Sequence, residues 1–462
     1  MILLGRKDNK PFCVDNSTSI TFSEVAEFTK EIEKRLPEEI HLAALGNTAT
    51  SAALYISLLE SKLSFVICGI KDWKKTREGL EKMYNKKFAV VSEKKLTNEC
   101  NEIGILGSKT IYAELQETRK KDETRRINCN NSDNNEFICL STSGSSGAPK
   151  LVKITKRNIQ ANTEGIIESL DLDETDSAFV CLPLNYTYAL SQINTSAKVG
   201  TTVWISDKSV VQAEFTEELV KSNAKVFAGV PYTFEMLQRL NYKPIKESKI
   251  KKITQAGGKL GMLNRKEIYL LSKDIDADFY IMYGQTEATA RISCFCVNRF
   301  PDKIGSVGRK LSNIELEISE SGEIIVKGPS VTPGYIKNAK DFTNKSTRNC
   351  HKTGDIARLD KDHFIYIEGR LSRFSKIAGR RINLDVIEEE LEQVYKEKVY
   401  IVSDDNELFI AAKILPEEKR KPTIEGIHRS KIKWVKIDEV PLTNNGKVDY
   451  SSLKRKICIN EY

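Results

Sequence analysis

From Phe22 to about Leu115 the chain alternates between helical stretches and short apolar runs. Ser23–Arg35 and Thr48–Ser61 read as helices, while His41–Ala44, Phe65–Cys68 and Phe88–Val91 are continuous apolar runs of strand length. Strands separated by helices predict a mainly parallel sheet covered on both faces. The most apolar stretch, Ala52–Ile70, carries Glu60, Ser61 and Lys62 at its middle. A charged pair there is costly in lipid, so the stretch predicts a buried helix followed by a strand.

Glu117–Asn135 is polar, charged and Asn-rich, and reads as an exposed loop or linker. A second α/β stretch follows, with a helix expected over Lys156–Leu170. Its expected strands are Phe137–Leu140, Ala178–Leu182, Val203–Ile205, Val226–Ala228 and Phe279–Met282. After about Ile314 the texture changes to strands and turns at Glu315–Ile318, Glu323–Lys327 and Phe364–Ile367. Beyond Gly369 come a helix, Leu384–Lys396, and strands Val399–Val402, Phe409–Ile414 and Lys433–Val435. The expected fold class is therefore α/β. A large N-terminal domain of mainly parallel sheets flanked by helices covers 1–369, with a β-rich subdomain over about 314–369. A small α+β C-terminal domain, 370–462, joins it at Gly369-Arg370-Leu371-Ser372.

The 462 residues are too many for one ordinary core, and 40% hydrophobic with 29% charged residues is normal for a soluble globular protein. The net charge of +8 is a mild basic bias. It fits an enzyme for anionic substrates, and a generic Lys-rich surface explains it equally well. No basic block with interleaved aromatics points to nucleic acid. Ten cysteines without a CxxC pair and only four histidines argue against a Cys/His zinc site. Reduced thiols in a cytoplasmic protein are the simplest account. The apolar run at Ile2–Leu4 is too short for a signal peptide, and no stable membrane insertion is expected.

Candidate chemistry begins at Thr142-Ser143-Gly144-Ser145-Ser146-Gly147-Ala148-Pro149-Lys150, just after the strand Phe137–Leu140. Glycines let successive N–H groups turn toward an anion, hydroxyls add neutral donors, and Lys150 adds a cation, a set suited to ATP phosphates. A flexible Ser/Gly surface loop has similar composition. The apolar strand before it and the Pro-Lys that leads into another apolar stretch weigh against that reading. A P-loop requires Gly-Lys-Ser/Thr, whereas Gly147 is followed by Ala-Pro-Lys and Pro149 removes an N–H.

This loop resembles the signature of the adenylate-forming superfamily of acyl-CoA synthetases, peptide-synthetase adenylation domains and luciferases, with Ser146 in place of the usual Thr. Further motifs follow in the family's order. In Tyr283-Gly284-Gln285-Thr286-Glu287 the resemblance implies that Tyr283 packs on adenine, Thr286 contacts phosphate and Glu287 helps hold Mg²⁺. A hard cation sharing oxygen ligands with substrate phosphates fits that carboxylate. Ala256-Gly257-Gly258-Lys259-Leu260 looks like the Gly-rich adenine-side turn, with Gly258 and Lys259 as nucleotide contacts. Gly322-Glu323-Ile324, Gly328-Pro329 and Gly334-Tyr335 resemble a structural segment to which no chemistry is assigned.

Asp355 of Thr353-Gly354-Asp355 is implied to accept hydrogen bonds from both ribose hydroxyls, as a two-oxygen carboxylate can. Arg370 matches the junction Arg that reaches the nucleotide, and Ser372 stands where the family hinge often has Asp. Lys376-Ile377-Ala378-Gly379-Arg380-Arg381-Ile382 fits the Lys-x-x-Gly-x-Arg-Ile motif. Lys447 of Pro441-Leu442-Thr443-Asn444-Asn445-Gly446-Lys447 is implied to be the adenylation catalyst, beside Thr286 and Glu287. The C-terminal domain is then expected to rotate about the junction and present its Gly379 face for thiol transfer.

The acyl pocket is expected around Leu182–Leu190, with Asn185, Tyr186 and Tyr188 lining it. No acidic residue lies between Pro183 and Gly200, so nothing pairs a substrate ammonium and a free α-amino acid is disfavoured. The expected activity is ATP- and Mg²⁺-dependent formation of an acyl-adenylate from a carboxylic acid. Transfer to CoA, or to phosphopantetheine on a separate carrier protein, would follow. A non-thiol acceptor and a non-catalytic, synthetase-like binding protein are the alternatives.

Overall fold

The structure, a computed structural model, describes residues 3–115, 136–142, 150–343, 350–377, 380–395, 397–404, 406–416, 424, 427–442 and 448–458. The chain divides into two compact units. The first holds Met1–Thr142, Lys150–Leu316 and Val326–His351; the second holds Glu317–Ile325 and Lys352–Tyr462.

Two large sheets organise the first unit. One has nine strands in the order Arg309–Lys310, Ser293–Cys296, Asp278–Tyr283, Lys252–Gln255, Val226–Gly229, Ala178–Val180, Val203–Ile205, Pro11–Val14 and Ser19–Thr21. Neighbours from Asp278–Tyr283 to Pro11–Val14 run parallel, and antiparallel strands close both edges. Their short sequences, apolar over Pro11–Val14, Ala178–Val180, Val203–Ile205 and Val226–Gly229, suit strands covered on both faces. The other sheet has a parallel centre of Phe137–Thr142, Ser64–Gly69, Ile40–Leu45 and Ala89–Ser92. Antiparallel strands flank it, Lys150–Thr155 and Gly334–Ile336 on one side, Lys109–Glu114 and Cys100–Leu106 on the other.

The helix Ala49–Glu60 touches strands of both sheets, and all of its residues are buried. This is why its sequence is apolar around the whole circumference rather than on one stripe. Thr48 caps its first turn by accepting from the Ser51 N–H, and Glu60 at its end accepts the Leu3 N–H at 2.6 Å. The charge that interrupts the apolar stretch is thus satisfied inside the protein. Among the described residues no helix is long and apolar enough to cross a membrane.

The second unit is built on smaller sheets. A four-stranded one comprises Glu315–Ile318, Glu323–Lys327, Cys350–Leu359 and Ile365–Arg370. The last strand begins one residue later than the sequence suggests and continues through Gly369 to Arg370, because ladder pairing to Ile356 and Asp355 holds those residues extended. Further on, Val399–Ser403, Leu408–Ala412 and Ile432–Lys436 form a three-stranded sheet. Alternate residues serve opposite faces: Ile401, Leu408 and Ile410 pack with Leu384, Ile387 and Leu391, whereas Val402, Phe409 and Ala411 pack with Leu453 and Ile457. Arg373 ties the start of this region together, donating to Asp385 at 2.6 Å, Glu388 at 2.5 Å and the Ile401 carbonyl at 2.6 Å.

Candidate active site

The glycine and hydroxyl loop is framed by a hairpin. Phe137–Thr142 and Lys150–Thr155 run antiparallel with Thr142 opposite Lys150, so both ends of the loop are held at adjacent ladder positions. A P-loop instead passes from strand to helix, so the topology agrees with its rejection. Ser143, Gly144, Ser145, Ser146 and Gly147 lie outside the described residues, as do Gly379 and Lys447.

Tyr283 ends the strand Asp278–Tyr283, and Thr286, Glu287 and Ala288 form a single 3-10 turn. Gly284 has no substitute here. A Cβ on it would sit 1.8 Å from the Ala290 carbonyl oxygen, because the chain doubles back against itself. Thr289 and Ala290 carry the reversal at φ 56° and 93°, values unfavourable for side-chain-bearing residues. Distant groups hold the turn in place. Thr289 donates to the Ser330 carbonyl at 2.6 Å, and the Thr332 N–H donates to the Glu287 carbonyl at 2.9 Å. Asn162 donates to the Arg291 carbonyl at 2.8 Å, while Asn158 donates to Pro329 and Val331 at 2.7 and 3.0 Å.

The Glu287 carboxylate is partly buried and accepts the Tyr335 hydroxyl on Oε1 at 2.5 Å. Gln285 meets His351 Nε2 at 2.9 Å. The segment to which sequence assigned no chemistry therefore supplies Ser330, Thr332 and Tyr335 as supports of this turn. Asn158, Asn162 and Tyr335 carry no sequence signal that names partners so far away.

The turn Ala256-Gly257-Gly258 follows the strand Lys252–Gln255, whose Gln255 amide donates to the Gly258 carbonyl at 2.9 Å. Gly257 has φ +87°, and a Cβ there would lie 2.4 Å from the Tyr186 hydroxyl. Tyr186 thus reaches from the expected acyl segment to the turn, and Gly258 and Lys259 are exposed beside it. Asn185 is directed elsewhere, its amide 3.5 Å from a Cβ position on Gly69. Tyr188 is only 2% exposed, and its hydroxyl meets the Thr254 carbonyl and hydroxyl at 3.0 and 2.8 Å. Burial raises its pKa, so it remains a neutral phenol. A cavity lined by Leu140, Asn162, Thr187, Leu190, Ser191 and Thr289 joins the start of the helix Thr187–Val199 to the end of the Glu287 turn.

In the second unit Asp355 and Arg370 face each other across the strand pair, Arg370 Nε donating to Asp355 Oδ1 at 2.9 Å. The Asp355 side chain is 4% exposed and that of Arg370 is 60% exposed. Sequence proposed separate nucleotide contacts for these two residues and did not foresee their pairing. Thr353 shapes the local turn by donating to the Ile324 carbonyl at 3.0 Å and accepting the Asp355 N–H at 3.1 Å. Glu323 accepts the Gly354 N–H at 2.9 Å.

The chain belongs to the AMP-binding enzyme family, whose model matches residues 42–336. Among its relatives is the 2-succinylbenzoate–CoA ligase of Listeria monocytogenes, 26% identical over 370 residues, with 76% of each chain covered. The D-alanine–D-alanyl carrier protein ligase of the same species is 26% identical over 368 residues, with 71% of each covered. The o-succinylbenzoate CoA synthetase of Bacillus subtilis, solved with ATP and a magnesium ion, superposes with a TM-score of 0.71 over 96% of both chains at 19% identity.

Proposed function

We propose that the chain is an AMP-forming acid–thiol ligase. It activates a carboxylic acid as the acyl-adenylate with ATP and passes the acyl group to the thiol of CoA or of a carrier-borne phosphopantetheine. The observation that carries the reading is the Glu287 carboxylate, positioned on a backbone-clamped turn by the Tyr335 hydroxyl. Among the described residues no group of three or more His, Cys, Asp or Glu side chains could hold a metal ion. A single carboxylate such as that of Glu287 suits Mg²⁺, which keeps waters and shares phosphate oxygens with its substrate rather than occupying a protein cage. Bound there, the ion would offset the charge of the phosphates.

Attack of a carboxylate on the α-phosphorus brings two anions together and expels pyrophosphate. The barrier is therefore largely electrostatic, and fixed cations and N–H donors must lower it. Lys447 is assigned to the reacting carboxylate, Thr286 and the 142–150 loop with Lys150 to the phosphates, and Asp355 and Arg370 to the nucleotide's ribose side. Tyr283, Gly258 and Lys259 are assigned to the adenine side. The domain organisation proposed is 1–369 and 370–462, with rotation about Gly369–Ser372 separating adenylation from thiol transfer. Cys13, Cys68, Cys100, Cys181, Cys294 and Cys296 are free thiols, which fits a cytoplasmic, reducing setting.

The test is acid-dependent ATP–pyrophosphate exchange with a panel of carboxylic acids, followed by thioester assays on CoA. Exchange together with an acyl-CoA product supports the ligase reading with CoA as acceptor. Exchange without acyl-CoA, but with acylation of a phosphopantetheinylated carrier, assigns the carrier. No exchange with any acid overturns the reading.

A further inference from the structure

Arg373, Glu388 and Tyr450 form one connected group in the second unit, with the side chains of Arg373 and Glu388 only 9% and 13% exposed. Glu388 Oε1 accepts Arg373 Nη2 and the Ile401 N–H, both at 2.5 Å, and Oε2 accepts the Tyr450 hydroxyl at 2.7 Å. The Arg373 guanidinium also lies 3.7 Å from the centroid of the Tyr450 ring. Asp385, which accepts Arg373 Nε at 2.6 Å, adds a second carboxylate. Four elements meet here: the junction turn Leu371–Arg373, the helix Leu384–Tyr395, the strand Val399–Ser403 and the helix Tyr450–Cys458.

Apolar side chains would hold these elements together as well as a buried ion pair does, so stability alone does not call for the group. Its position does. Asp449 caps the last helix by accepting the Ser451 and Ser452 N–H groups at 3.1 and 3.0 Å, and Tyr450 opens that helix. The Asp449 N–H donates to the Pro441 carbonyl at 2.8 Å, and Leu442 pairs with Val448 as an antiparallel bridge. Residues 442 and 448 are thereby joined, and the joint lies two residues before Tyr450. Between them runs the segment that carries Lys447, the residue assigned to the reacting carboxylate. A charged group in that role needs a fixed base, since a misplacement of about 1 Å can cost about 100-fold in rate.

We propose that Tyr450, clamped between Glu388 and Arg373, is a positioning residue that ties the base of the Lys447 segment to the junction turn. The inference rests on the ligase reading for the role of Lys447. Both contacts fall on one ring, Arg373 on its face and Glu388 on its hydroxyl, so the ring cannot turn without breaking one of them. The clamp needs the ionised carboxylate, which accepts from all three donors and balances the Arg373 charge. Burial pushes Glu388 up to about 7, against the pull of Arg373, the Ile401 N–H and the Tyr450 hydroxyl, while Asp385 adds to the rise. Glu388 therefore takes up a proton, and the clamp loosens, as pH falls through about 7.

The experiment measures ATP–pyrophosphate exchange for Tyr450→Phe, alone and in a Lys447→Ala background, with an acid that the wild type activates. Phe keeps the ring and loses the hydroxyl. Tyr450→Phe should lower kcat about tenfold with KM for ATP unchanged. Once Lys447 is gone it should lower kcat by less than about twofold, because its effect passes through that residue. The ratio of wild-type to Glu388→Gln exchange should rise with pH through about 7. Should Glu388→Gln fail to fold, the Tyr450→Phe comparison decides. Equal losses with and without Lys447, an unchanged kcat in Tyr450→Phe, or a Glu388→Gln ratio independent of pH overturns the inference and leaves the ligase reading intact. If no acid supports exchange, the ligase reading fails and deuterium uptake at the Asp449 amide decides alone. Uptake about tenfold faster in Tyr450→Phe then upholds the clamp, and an unchanged rate refutes it.

Discussion

The Tyr335 hydroxyl donates a 2.5 Å hydrogen bond to Glu287 Oε1, joining two residues 48 positions apart. The bond fixes one carboxylate oxygen and thereby sets the direction of the other. Supports of this kind typically change metal affinity by 10–100-fold when removed. Tyr335→Phe is expected to raise the Mg²⁺ concentration needed for half-maximal exchange about tenfold. The same variant should unfold within about 1.5 kcal/mol of the parent, the usual worth of one hydrogen bond. A Mg²⁺ titration superimposable on the wild type would remove Tyr335 from the site.

Gly284 and Gly79 provide opposite outcomes from the same substitution. A methyl on Gly284 would collide with the Ala290 backbone at 1.8 Å, whereas one on Gly79, within the helix Trp73–Tyr84, meets nothing within 4 Å. Gly284→Ala should cost about 3 kcal/mol or more, since backbone cannot step aside as a flexible side chain can. Gly79→Ala should stabilise by about 0.5–1 kcal/mol through helix propensity. Urea titrations of both variants read the difference directly. A Gly284→Ala protein as stable as the parent would show that the turn relaxes freely.

The Asp355–Arg370 pair is asymmetric, one side chain buried and the other mostly in water. Removing Arg370 takes this partner from a buried carboxylate, so Arg370→Ala should cost about 1–3 kcal/mol of stability. Its second expected effect is on the nucleotide, with KM for ATP rising about tenfold on loss of one charge-assisted contact. Loss of stability without change in KM would make the pair purely structural.

Two substitutions separate the proposed half-reactions. Lys447→Ala should slow adenylation by roughly 10²–10³-fold, the scale of one lost charge-stabilising donor. Ser372→Pro stiffens an exposed position in the turn Leu371–Arg373 and should spare exchange while reducing thioester formation about tenfold or more. Parallel exchange and thioester assays distinguish them. Equal losses in both steps for Ser372→Pro would argue against motion at that junction.

Much of the frame was legible because burial writes itself into composition. The helix Lys156–Leu170 and the strands Val203–Ile205, Glu315–Ile318 and Glu323–Lys327 coincide with the expected ranges. The strand expected to reach Leu182 stops at Val180, and that expected to reach Ile414 stops at Ala412, since an apolar run does not mark where ladder pairing ends. The return strand Lys150–Thr155 and its neighbour Gly334–Ile336 were not anticipated, being short and mixed in polarity. Polar supports were the larger omission. Asn162 lies within a helical pattern and Tyr335 in a turn-rich stretch, and each owes its role to a partner far along the chain.

The reversal from Gly284 to Arg291 is tethered at the main-chain carbonyls of Glu287, Ser330 and Arg291, which accept the Thr332 N–H, the Thr289 hydroxyl and the Asn162 amide. The acceptors at 287 and 291 belong to peptide groups common to every residue type, whereas the donors at Thr289 and Asn162 are side chains. Drift at 287 or 291 would therefore leave these anchors in place, while loss of Thr289 or Asn162 would loosen the turn that carries the carboxylate.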